Sequence, residues 1–136
     1  MRDCRAKPAG FFATRMKLAA WRGDYPAALA LTDRFAEEFL VTQIEYSPIE
    51  LTRADVLAAS GDAAGAARAY AQAQRLIETA ATERPWDPRV WLALAHTSSG
   101  VGRADAAHAA MRRVRELYPV DRDHLLGPDI KAQFAH

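Results

Sequence analysis

One cysteine among 136 residues, Cys4, can close no internal disulfide and build no multi-cysteine zinc site. No apolar run approaches the ~18 residues of a membrane helix, and none follows the opening charges Arg2, Asp3, Arg5 and Lys7. Neither a membrane span nor a secretory leader is therefore expected, and the expected location is the cytoplasm. An excess of one charge sign is also missing. With 18 basic and 17 acidic residues the net charge is +1, which leaves no global footprint for a nucleic-acid partner. Local imbalances exist: the first 22 residues are basic, and Asp33 to Glu50 is acidic. Both read as solvated surface. Asparagine is absent altogether, and 15 of the 18 basic residues are arginine. No stretch alternates apolar and polar residues over the length of a strand.

What is abundant is alanine, with 30 copies. It is the strongest helix former and lets helices approach closely. Glycine and proline, seven of each, fall between blocks of helical period. The chain therefore reads as all-α. Gly23 ends a first helix, and Asp24 caps a second that runs through Pro26 to about Phe39. Ser47, Pro48 and Glu50 resemble a capping box that starts a third. It stops at Gly61, and Asp62 caps a fourth that runs to about Thr82. Asp87 and Pro88 start a fifth, ending near Gly100 to Gly102. A sixth spans about Ala104 to Tyr118, and Gly127-Pro128 opens a short last helix over 128–136.

The helix pairs repeat. Residues 14–28 and 52–66 match at Thr14/Thr52, Arg15/Arg53, Ala20/Ala58, Gly23/Gly61, Asp24/Asp62 and Ala28/Ala66. Gly102 and Ala107 continue the register of Gly61 and Ala66. Helix pairs with a period near 40 residues imply a solenoid, because one hairpin leaves an apolar face that only a neighbour can bury. In the third unit Trp91, Leu94, Ala95, Ala107, Met111, Val114 and Pro119 stand at the spacing of the tetratricopeptide repeat, which this chain resembles over residues 10–136. The resemblance implies a right-handed α-solenoid of three hairpins, about 10–46, 47–86 and 87–119, behind a frayed 1–9 segment. The repeat spacings exceed the family's 34 residues, so second helices or turns are expected to be lengthened. Arg15 and Arg53 stand where the family has leucine. The tail from Tyr118 to the last helix is similar to tetratricopeptide regions that end bacterial multidomain regulators, such as nucleotide cyclases, protein kinases and winged-helix activators. The alanine- and arginine-rich usage fits a GC-rich bacterial genome.

Chemistry is sparse. His96, His108, His124 and His136 stand at no familiar metal spacing, and no nucleotide-binding or nucleophile-elbow motif occurs. Ser98 and Ser99 beside His96 are neighbours in sequence, which does not make a triad. Glu37 and Glu38 point apart on a helix. Neither a catalytic residue, a cofactor nor a metal is expected; convergence of His96, His108 and an acid in one pocket would be needed to reopen an enzymatic reading. The aromatic and methionine residues at helical spacing, Phe12, Met16, Phe35, Trp91 and Met111 among them, read as core, with Trp91 largely buried.

Function then falls to surface shape. The family's first helices line a concave groove for a peptide or helix, and the resemblance carries that groove onto Lys17, Trp21, Leu51, Asp55, Arg89, Leu92, His96 and Ser99. Trp21 is the expected aromatic anchor. The family's carboxylate clamp is not expected, because its positions hold Ala13, Thr52 and Ala93. The expected function is a protein-interaction module. The alternative is self-assembly through the C-terminal end, where Ile130 and Phe134 form one apolar stripe.

Overall fold

Three glycines set the plan. Gly23, Gly61 and Gly102 alone take positive φ (77°, 91° and 79°) among the described residues of the computed structural model, which are 9–119. Each closes the first helix of a hairpin in the same way. The glycine N–H donates three residues back, and the next N–H donates five residues back, as Asp24 does to the Ala19 carbonyl and Asp62 to the Leu57 carbonyl. This is the Schellman arrangement, and it needs a left-handed residue that glycine adopts without a Cβ clash.

The helices between these turns are α1 (Ala9–Trp21), α2 (Tyr25–Arg34), α3 (Ile49–Ala59), α4 (Ala63–Glu83), α5 (Pro88–Gly100) and α6 (Ala104–Leu117). They pack as the hairpins α1–α2, α3–α4 and α5–α6, and α2 on α3 and α4 on α5 join them into one stack. The all-α helical repeat is thus the fold. Asp24 and Asp62 cap α2 and α4 by accepting from the N–H groups of Ala27 and Gly65. Asp87 caps α5. The expected last helix over 128–136 and the segment 1–8 lie outside the described residues.

Two departures reshape the stack. The second helix does not reach Phe39: it ends at Arg34, and Phe35 turns extended (ψ 114°) to set its ring 5.6 Å from Phe12. Beyond it, the expectation of no sheet fails. Strands β1 (Phe39–Val41) and β2 (Tyr46–Pro48) pair antiparallel, with Leu40 opposite Ser47. No alanine occurs between Ala36 and Ala54, and the run from Phe39 to Tyr46 is rich in β-branched and aromatic residues, which favours extended chain. The Thr42 hydroxyl closes the turn by accepting from the N–H groups of Ile44 and Glu45. The capping box at Ser47 does not form either. Ser47 is in β2 and donates to Glu45 at 2.9 Å, and Glu50 pairs with Arg53 instead. The lengthening therefore has two causes: an inserted β-hairpin after α2, and a 21-residue α4.

The main core joins Leu51, Ala73, Ile77, Ala80, Ala81, Val90 and Ala93, flanked by Phe39, Tyr46, Tyr70, Trp91 and Leu94. A second cluster of Met16, Leu31 and Ile49 is closed by Phe12 and Phe35. Trp91 is only half-buried: it lies against the core edge, donates from Nε1 to the Pro85 carbonyl at 2.9 Å and carries Arg113 over its ring. Arg15 and Arg53 replace leucine without entering the core. Arg15 is exposed over the Phe11 ring, and Arg53 ties α3 to α2 through Asp33 at 2.6 Å.

Candidate functional site

Because each hairpin presents its first helix to the same side, α1, α3 and α5 line one concavity of about 790 Å³, closed at its margins by α6 and the β-hairpin. Its wall is mostly apolar, built from Met16 and Ala20 of α1, Leu51, Val56 and Ala59 of α3, and Leu92, Ala93 and Ala95 of α5. The helical period places Leu51, Asp55 and Ala59 four apart on one face of α3, and Leu92, His96 and Ser99, at steps of four and three, on one face of α5.

Seven of the eight groove residues expected from the sequence line this concavity: Lys17, Leu51, Asp55, Arg89, Leu92, His96 and Ser99. Trp21 does not. It is the last residue of α1 and is 90% exposed, beyond the wall to which Lys17 and Ala20 contribute. Arg89 lines the wall but its guanidinium is already engaged. It donates to Asp87 at 2.8 and 3.0 Å and to the Thr42 carbonyl at 2.6 Å, and it lies 5.6 Å from the Tyr46 ring centroid. Arg84 stacks on Tyr46 as well, at 5.0 Å, and also reaches Asp87. Asp87, only 5% exposed, thus anchors the α5 N-terminus and the β-hairpin together. The Arg89 hydrogen bond holds its carboxyl below the usual carboxylate range, against the opposing effect of burial.

The polar centre of the concavity was not legible as a unit. His96 Nε2 lies 3.0 Å from Asp55 Oδ1, and the same oxygen accepts from the Tyr70 hydroxyl at 2.6 Å. The hydrogen bond to Asp55 raises the His96 pKa above its ordinary value, opposed by desolvation and helped by the charges of Asp55 and Glu45. Burial, then the bond to Asp55, pushes the Tyr70 hydroxyl well above a free tyrosine. Tyr70 comes from α4, and its ring occupies the space where a Cβ on Gly100 would stand, 2.5 Å away. Glu45 and Ile44 of the β-hairpin turn also reach the concavity. The signal for them in the sequence was the alanine-free stretch.

His96, His108, Asp55 and Glu45 do share this concavity. The hydrogen bond of His96 goes to Asp55, and among the described residues none joins it to a hydroxyl. No group of three or more His, Cys, Asp and Glu among the described residues could hold a metal ion. No described helix is long and apolar enough to cross a membrane.

A groove formed by the first helices of stacked hairpins, with a Schellman glycine closing each, defines the class of helical repeat proteins. The family profile of the tetratricopeptide repeat matches residues 57–126, more than half of the chain, and the chain belongs to that family. Tetratricopeptide repeats generally mediate protein–protein interaction and are typically non-enzymatic. No curated protein and no solved structure matches the chain.

Proposed function

We propose that this chain is a non-enzymatic interaction module that receives a partner peptide or helix in the concavity between α1, α3 and α5, in a cytoplasmic setting. The observation that supports it is the concavity itself: about 790 Å³, mostly apolar, and assembled from three successive repeats. Burying a partner's apolar face there removes surface from water on both sides, which is the driving term for such association. Leu92, 47% exposed at the groove wall, is an apolar contact waiting for a partner. The similarity of the tail to regulator tails supports a place within a larger bacterial signalling or transcription regulator.

A photo-crosslinking residue at position 92, compared with one at exposed Ala71 on the outer helix α4, tests this reading. Capture from position 92 and not from 71, lost in Leu92→Asp while helical circular dichroism is retained, is the expected result. Equal capture from both positions would overturn the groove. Mass in solution measured alongside separates the alternative: a crosslink from position 92 to a second copy, with a dimeric mass, makes this a self-assembly element.

A further inference from the structure

Resting on that reading, we propose that the groove selects a helix whose apolar face is flanked by one cationic side chain, lysine or arginine, received between Asp55 and Glu45.

The helical form follows from what the wall lacks. An extended peptide leaves backbone N–H and C=O groups to be satisfied by its host, at a cost when they are buried without partners. Asparagine is absent from the chain, no glutamine lines the concavity, and of the two strands only Ser47 of β2 lines it. A helix satisfies its own backbone and needs only apolar surface, which this wall supplies.

The charge preference follows from which groups are free. Arg89 is spent on Asp87 and Thr42, so it offers no cation to an acidic partner. Asp55 uses Oδ1 for Tyr70 and His96, and Glu45 uses Oε1 for Ser47; among the described residues their second oxygens accept nothing. Asp55 on α3 and Glu45 on the turn of the β-hairpin therefore each bring an uncommitted carboxylate oxygen to a mostly apolar concavity. Among the described residues the one cation left uncommitted in the concavity is Lys17 of α1, which is exposed, so two open carboxylates stand against one ammonium; His108 of α6 also lines it. His96 reports the local potential, since Asp55 and Glu45 both favour its proton. A partner cation would compete with that proton. Binding of a cationic helix must then tighten as pH rises through the His96 titration, and by linkage the bound helix must lower the His96 pKa.

The test uses synthetic amphipathic peptides of about 16 residues, long enough to be partly helical. They share one leucine/alanine stripe and carry lysine, glutamine or glutamate at varied positions flanking it. Fluorescence anisotropy against the whole chain is read at about pH 8 and about pH 5.5, on either side of the histidine range. Lysine peptides are expected to bind about fivefold tighter than their glutamine counterparts at the higher pH, the upper end for a partly exposed ion pair. The advantage should shrink at the lower pH and in about 1 M salt. Glu45→Gln should remove most of it while glutamine-peptide affinity holds, a check that avoids the Tyr70 contact of Asp55. His96→Gln should keep it at both pH values. Equal affinity across the three charge classes, or a preference for glutamate, overturns the charge selection and leaves the groove standing. If no peptide binds at all, the groove reading falls and this inference with it.

Discussion

Replacing Asp87 probes the junction on which the inserted β-hairpin depends. Its carboxylate accepts from the Arg89 N–H, from the Arg89 guanidinium and, at 3.4 Å, from Arg84, while remaining 5% exposed. Loss of the cap alone costs about 1 kcal/mol. A charge-assisted bond contributes about 1.5–3 kcal/mol when desolvated, but Arg84 and Arg89 are partly exposed, so roughly 1–2 kcal/mol is the reasonable share for the pair. Asp87→Ala should therefore destabilise by about 2–3 kcal/mol, and Asp87→Asn, which keeps a capping oxygen and loses the charge, by about half that. For a chain of this size the alanine variant should melt roughly 10 °C lower. Urea unfolding followed by circular dichroism measures both. Because the Asp87 pKa is lower folded than unfolded, the native state binds fewer protons. The stabilisation is present above the unfolded value of about 3.9 and is lost as pH falls through the folded one. The asparagine variant should lack that part of the acid sensitivity. An alanine variant within about 0.5 kcal/mol of the parent would refute the reasoning, since surface changes alone stay in that range. Equal losses for alanine and asparagine would show that the cap contributes nothing.

Trp91→Ala should cost about 2–3 kcal/mol in urea unfolding, below the range for a fully buried aromatic, because the ring lies at the core edge; a near-neutral result would remove it from the core altogether. Gly61→Ala places a Cβ at φ 91° and should lower stability by about 1–2 kcal/mol, whereas exposed Ala64→Gly on α4 should cost at most about 1 kcal/mol. NMR titration should find the His96 pKa above about 6.5, and Asp55→Asn should bring it back down. The His96–Asp55 pair stabilises below the unfolded histidine pKa and loses that contribution as pH rises through the folded value, an effect kept small by the exposure of both side chains.

Much of this protein was determined locally. Alanine content, the Gly-Asp turns at 23–24 and 61–62 and the Asp87-Pro88 start specify helix ends through groups within a few residues, so they are legible in the chain. The repeat register carried further, because equal turns at equal places bring first helices to one side, and Lys17, Leu51, Asp55, Arg89, Leu92, His96 and Ser99 came with them. Trp21, at the exposed end of α1, lies outside that lining. The β-hairpin hid in a stretch whose Ser-Pro-x-Glu pattern competes with strand pairing, and tertiary contact decided between them: Arg89 reaching the Thr42 carbonyl and Tyr46 stacking on two guanidiniums hold the extended form. The same holds for the polar centre. Asp55, Tyr70 and His96 come from three helices, and their meeting at one carboxylate oxygen depends on how α3, α4 and α5 pack. A local signal sets where a helix starts and stops, but which distant side chains share a proton or a charge is set by packing between elements that the chain brings together only on folding.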